Sequence, residues 1–353
     1  MKKIKNKNNF DLLRLALAVV VYLVHSYGLT NVESLKVFKK YLSTQIAVNS
    51  FFVISGFLIF MSYEKSQSLW SYASKRIRRI FPAYVVVIIV CVIVGGIITS
   101  YSFKDYLSFD LLRYLLANLA SLNFLKPDLP GVFGSNPLSA VNGALWTIKI
   151  ELMFYVSVPV IVWFLRKWKR FYGLVLLYAL SVIYFELTGY LYETTGNDLY
   201  KKFSLLLPGS LSFFIAGGIL YYYLDKFKER QWLYLAIAVV CYVLYRQFDL
   251  YFLMPMSLGV IVVYIAVSFY YLGNFGRLGD FSYGIYIWHF PIIQTLYHFG
   301  LYENPLYGFA LSLILVLFMA VISWHFVEKV FLGRSSHYIK AEHPASQSDG
   351  KVS

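Results

Sequence analysis

FDLLRLALAVVVYLVHSYGL, residues 10–29, decides the fold. It is one continuous apolar run of about twenty residues, the length a helix needs to cross about 30 Å of hydrocarbon. Its apolar residues do not alternate with polar ones, which favours a helix over a barrel strand. Runs of the same kind follow at 44–62, 80–99, 145–165, 171–191, 203–224, 231–248, 250–272, 281–300 and 306–331. The sequence therefore predicts an all-α polytopic membrane protein with about ten transmembrane helices. Composition agrees. The 353 residues are 59% hydrophobic and 14% charged, whereas soluble domains run about 45–50% and about 25%, so there are too few polar side chains to cover a globule. The stretch 104–125 differs: Lys104, Asp105, Asp110 and Arg113 break up Leu and Tyr at three- and four-residue spacing. It reads as an amphipathic or re-entrant helix rather than a further span.

Basic residues set the orientation. With the N-terminus inside, most of the 32 Lys and Arg residues fall in inner segments: MKKIKNKNN, Tyr63–Arg79, RKWKR (166–170), DKFKER (225–230), Arg277 and the C-terminal end. That asymmetry predicts both termini in the cytoplasm. The net charge of +14 then speaks of the lipid bilayer and not of nucleic acid. The first run carries Arg14 and has no small-residue cleavage site, which reads against a signal peptide. Cys91 and Cys241 fall in predicted helices and suggest neither a metal site nor a disulfide framework. One transmembrane domain is expected over 1–333, followed by a short disordered cytoplasmic tail, 334–353. The loop KPDLPGVFGSNPLSAVNG (126–143) is expected on the outer face, where it would cap a cavity.

Ionisable groups inside membrane spans are costly and usually functional. The first helix has three: Asp11, Arg14 and His25. At 100° per residue, Arg14 and His25 point within about 20° of each other, about 16 Å apart along the axis. Asp11 lies one turn before Arg14 and is a natural ion-pair partner for it. In KRIRRIFPAY (75–84), Arg76 and Arg79 are spaced i, i+3 and share a face as the helix enters the membrane at Pro82. Such a guanidinium pair suits phosphates, although basic clusters at this position commonly do no more than anchor a loop. Glu151, in WTIKIELMFY (146–155), lies in a span on the outer side, where a carboxylate needs a partner or water. In SYGIYIWHFP (282–291), Tyr283, Tyr286 and His289 occupy neighbouring turns, and Pro291 is expected to kink or end the helix. His325 and Glu328 lie i, i+3 near the inner end of the last span. His289 and His325 are expected to tolerate substitution better than His25.

In this order, the features resemble the acyltransferase-3 family of membrane O-acyltransferases, which modify bacterial surface polysaccharides and other acceptors. The resemblance rests on FDLLRLALAVVVYLVH (10–25), SFFVISGFLIF (50–60), RIRRIFPAY (76–84), ALWTIKIELMFYVSVP (144–159), FSYGIYIWHFP (281–291) and FVEK (326–329). It covers the chain from residue 10 to about 330. Two departures stand out. WTIKIE replaces the usual Trp-Ser-Leu before the glutamate, and Lys-Val follows the last glutamate where a proline is usual. The appended periplasmic hydrolase-like domain of some relatives is not expected here.

The resemblance implies acyl-CoA, acetyl-CoA above all, as co-substrate, with no bound cofactor and no metal. Its phosphates would be held at the cytoplasmic face by Arg76 and Arg79, with Arg14 lining the route, and its thioester would reach His25. His25 suits the general base because imidazole titrates near neutral pH; direct transfer and an acyl-histidine intermediate both remain open. Asp11, Arg14 and Glu151 complete the candidate catalytic set, and Trp146, Tyr283, Tyr286 and His289 the candidate acceptor pocket. The implied acceptor is a glycan or lipid-linked glycan, such as the O-antigen of lipopolysaccharide, capsule or exopolysaccharide, and the implied location is the bacterial inner membrane. A small-molecule acceptor stays open. So does a lipid-linked-sugar transporter or flippase, although such chains often carry inverted repeats that this sequence lacks.

Overall fold

The computed structural model describes residues 7–277, 279–333 and 338. The main helices are α1 (Phe10–Thr30), α2 (Thr44–Glu64), α3 (Leu69–Ile98), α4 (Phe109–Leu119), α5 (Trp146–Lys167), α6 (Arg170–Thr195), α7 (Leu207–Tyr222), α8 (Gln231–Phe248), α9 (Met254–Val267), α10 (Phe281–His298) and α11 (Pro305–Ile322). No strand occurs among the described residues. Each of the ten expected spans contains a helix. Among the described residues, seven helical segments are long and apolar enough to cross a membrane: α1, α2, α3, Gly143–Lys167, α6, Asp198–Tyr222 and Pro305–Phe331. Tyr251–Val267 is a shorter apolar helix, and α8 and α10 have 18 residues each. The chain is a polytopic all-α membrane protein.

Two segments differ from the sequence reading. The helix expected from residue 80 begins at Leu69 and runs through Pro82, so the basic residues 75–79 lie on its own early turns. Hydropathy detects only the apolar part of such a helix, and proline is tolerated where neighbouring groups take up the freed carbonyl. Helix α10 matches the expected span 281–300 and runs through Pro291 to His298 as one helix. The stretch 104–125 forms Phe103–Tyr106, α4 and a 3₁₀ turn, Asn123–Leu125, in place of one helix. Ser102 caps the first of these by accepting from the Asp105 amide, and capping serines favour the non-helical backbone of a helix start.

The chain divides into two compact units. The first comprises Met1–Leu13, Gln45–Ala73 and Ile150–Gly273. Within it α7 packs on α6 and α9, and α8 on α9. Helices α2 and α7 approach backbone to backbone: a Cβ at Gly56 would lie 1.9 Å from the Phe214 carbonyl oxygen, and one at Gly217 would lie 2.1 Å from that of Val53. Small residues at such a crossing replace the hydrophobic drive that lipid does not supply. Asn9, just before α1, donates to the Ile265 and Tyr270 carbonyls at 3.0 Å each.

The second unit comprises Arg14–Thr44, Ser74–Lys149 and Asn274–Ser353. Its tail, the segment 334–353, lies outside the described residues except for Tyr338. Helices α10 and α11 pack together, and Tyr22 of α1 bonds Ser312 of α11 at 2.8 Å.

Candidate active site

Two polar constellations occupy the second unit at two heights on α1 and α10. At the foot of α10 stands Asp280. As the residue before the helix it accepts from the Ser282 amide at 3.2 Å and from the Ser282 hydroxyl, the arrangement an aspartate N-cap favours. The same carboxylate receives Arg79 Nη2 at 2.5 Å, the Tyr338 hydroxyl at 2.8 Å and Arg14 Nη2 at 3.4 Å. Arg79 Nη1 reaches Glu328 at 3.1 Å. Glu328 ends a π-helical turn, Ser323–Glu328, and its other oxygen accepts from the Ser323 hydroxyl at 3.0 Å. Single π turns of this kind recur at functional sites. Arg14 also bonds the Tyr338 hydroxyl.

Two guanidinium groups face two carboxylates in this cluster. Asp280 and Glu328 are buried at 3% and 1% exposure, so each requires its cation. The rings of Tyr283, Trp324 and Tyr338 flank Arg79 at 5.7–5.9 Å, which adds cation–π attraction. Gly279 allows the chain to deliver Asp280. Its φ is +127°, and a Cβ there would sit 2.2 Å from Trp324 Nε1, a conformation and a closeness open only to glycine.

Higher on the same two helices, His25 Nδ1 lies 2.8 Å from His289 Nε2. The other nitrogen of His289, Nδ1, lies 3.2 Å from the Ile285 carbonyl oxygen. His289 is fully buried, whereas His25 is half-buried. Phe290 meets the His25 ring edge-on at 5.9 Å. One turn beyond His25, a Cβ at Gly28 would meet nothing within 4 Å. With Arg14 on Asp280 and His25 on His289, α1 and α10 run parallel, as the first and ninth spans of the expected topology must. The intervals match: eleven residues of α1 rise about 16 Å and nine of α10 about 14 Å.

The remaining candidates of the second unit are spread around these centres. Tyr286 bonds Thr147 at 2.7 Å, the neighbour of half-buried Trp146, and Asn142 donates to the Ile287 carbonyl at 2.9 Å. Tyr283 donates to the Ile80 carbonyl at 3.1 Å and so stands with Arg79, a level below Tyr286. Arg76 is half-buried one turn before Arg79. Asp11 and Glu151 belong to the first unit; Glu151 accepts from the Tyr155 hydroxyl. His325 is exposed against the Phe281 ring at 6.4 Å. His289 does not share that peripheral position: it touches His25, so the tolerance expected of both histidines has no basis in the placement of His289. Helical periodicity assigns a residue to a face, but not to the neighbouring helix that face meets.

Asp280, Tyr338 and Gln294 had no place in the sequence reading. Asp280 had a signal, an aspartate directly before an apolar helical run. Gln294 is fully buried and donates to the Leu138 and Ala140 carbonyls at 2.6 and 2.8 Å, while Asn136 donates to its side-chain oxygen at 3.0 Å. It ties the 126–143 loop to α10.

A half-buried imidazole held by a second, fully buried one inside a membrane helix bundle is an arrangement able to take up and return a proton. Comparison with known sequences gives the reaction. The acyltransferase-3 family model, described as an acyltransferase domain, matches residues 7–325, and the chain belongs to that family. It is a multi-pass membrane acyltransferase. It is 30% identical to the O-acetyl transferase of Shigella phage Sf6 over 345 residues, covering 93% of this chain and 97% of that one. Nodulation protein 10 of Rhizobium leguminosarum bv. viciae is 27% identical over 354 residues, covering 92% and 93%. The peptidoglycan O-acetyltransferase OatA of Listeria monocytogenes is 28% identical over 80% of this chain and 50% of its own length. No solved structure matches the chain.

Proposed function

We propose that this protein sits in the bacterial inner membrane and transfers an acetyl group from cytoplasmic acetyl-CoA to a hydroxyl of a cell-surface glycan or lipid-linked glycan. The observation that carries the reading is the column on α1: Arg14 bound into the Asp280 cluster below and His25 against His289 above. The O-acetyl transferase relatives support acetyl as the transferred group, and the likeness to the peptidoglycan O-acetyltransferase OatA supports a glycan acceptor. The imidazole of His25 takes the acceptor hydroxyl proton as that oxygen attacks the thioester carbonyl. The carbon–sulfur bond breaks, and the proton passes to the departing CoA sulfur. General-base assistance of this kind contributes about 10²–10⁴-fold.

The arginines divide the work of donor binding. Arg79 already has two buried carboxylate partners, and Arg14 shares one of them. Arg76, part-exposed and one turn nearer the start of α3, is by position the main phosphate contact, with Arg79 and Arg14 as the framework behind it. The pantetheine arm spans the roughly 16 Å between Arg14 and His25, and the acceptor enters past Gly28 and the 126–143 loop. The division of substrates across the membrane explains why so simple a transfer uses so many helices. Deletion of the gene followed by mass spectrometry of the surface glycans tests the reading. Loss of an acetyl mass is expected; unchanged glycans together with a missing acetylated small molecule would overturn the acceptor class.

A further inference from the structure

We infer that His289 is a positioning residue that fixes the tautomer of His25, so that His25 Nε2 is the atom that receives the acceptor proton. The catalytic half of this inference rests on the acetyl-transfer reading above; the tautomer itself does not. A carbonyl oxygen only accepts hydrogen bonds, so the contact of His289 Nδ1 with the Ile285 carbonyl at 3.2 Å requires a proton on that nitrogen. A neutral imidazole with Nδ1 protonated presents Nε2 as an acceptor. Across the 2.8 Å gap the donor must then be His25 Nδ1–H. The ring centroids are 5.0 Å apart with planes inclined by 25°, the separation of two rings meeting edge to edge along the N···N line. His25 is left with a bare lone pair on Nε2.

The chain Ile285 carbonyl, His289, His25 thus does what a carboxylate more often does for a functional histidine: it holds one tautomer and one ring orientation. A neutral relay suits this site, because His289 is fully buried and an unpaired carboxylate there would be costly. In the reaction His25 Nε2 takes the hydroxyl proton. The resulting imidazolium keeps its Nδ1–H on His289 Nε2, then returns the Nε2 proton to the CoA sulfur. His289 keeps the same single proton throughout. An acyl-histidine route would use the same Nε2 lone pair.

Two experiments test this. In ¹⁵N-histidine-labelled protein in nanodiscs, with resonances assigned through His25→Gln and His289→Gln, His25 should show a protonated Nδ1 and an unprotonated Nε2. The opposite tautomer would overturn the relay whatever reaction the enzyme performs. In kinetics, His289→Leu should lower kcat by at least about 10–100-fold, the loss typical when the partner that orients a metal-bound histidine is removed, with KM for donor and acceptor unchanged. His289→Gln places a carbonyl acceptor near the former Nε2 and should recover most of kcat. A packing role predicts the reverse order, since Leu suits an apolar site better than Gln. A Gln variant as poor as Leu, alongside an inactive His25→Gln, would reject the relay and leave His25 as the base.

Discussion

Arg79 and Asp280 meet at 2.5 Å, and the second nitrogen of the same guanidinium holds Glu328 at 3.1 Å. A side chain committed to two buried carboxylates behaves as part of the framework. Removing one partner from a buried charge network typically costs about 3–5 kcal/mol. Arg79→Ala should therefore lower the thermal stability of the detergent-purified protein markedly, and Arg79→Lys, a point charge without the fork, should recover part of it. Full stability with only a raised acetyl-CoA KM would instead make Arg79 a direct phosphate contact.

Arg76, one turn earlier, should behave differently. If it takes the donor phosphates, Arg76→Ala loses an interaction worth on the order of 1–3 kcal/mol. The apparent KM for acetyl-CoA should then rise about tenfold or more while folding and insertion are unaffected. Two arginines a turn apart would thus separate into a stability variant and a KM variant. Unchanged donor dependence would return Arg76 to the role of an inner-face anchor.

Gln294 gives a test of the outer loop. Gln294→Leu leaves the Leu138 and Ala140 carbonyls without their donor, at a cost of about 1–3 kcal/mol for each buried group. Hydrogen exchange should quicken over 126–143, and the KM for acceptor should rise with that for acetyl-CoA constant. Equal protection of the loop in variant and wild type would show that other contacts hold it.

Topology can be read with a single thiol. Ser135 lies exposed at the tip of that loop. Ser135→Cys, in a background without Cys91 and Cys241, should react with an impermeant maleimide in cells with a permeabilised outer envelope and an intact inner membrane. Labelling only after the inner membrane is opened would invert the map drawn from the basic residues.

Much of the helical framework could be read from sequence, because span length and apolar continuity are imposed by the bilayer itself. The partners within the site were less accessible. The spacing of Arg14 and His25 revealed one shared face of α1, but nothing in that periodicity identifies Asp280 and His289 as what it meets. Those contacts join residues more than 260 positions apart. Asp280 lies just outside an apolar run, so a search for ionisable groups within spans passes over it, although its place before α10 marks it as an N-cap. Arg79 reads from sequence as a cation awaiting a phosphate, because the two carboxylates that satisfy it come from a distant loop and from the π turn after α11.

The most direct test of the account is the transfer rate of His25→Gln, measured as ¹⁴C-acetyl incorporated into glycan acceptor by membranes containing matched amounts of inserted protein. Glutamine keeps a polar side chain of similar reach but does not accept and return a proton near neutral pH. A loss of about 10²–10⁴-fold is expected, close to that of His25→Ala, with His325→Gln near wild type. A structural hydrogen bond in a membrane is worth only about 1–2 kcal/mol, and a histidine serving that purpose would be largely replaced by glutamine. Near-wild-type acetyl transfer by His25→Gln would rule out His25 as the base.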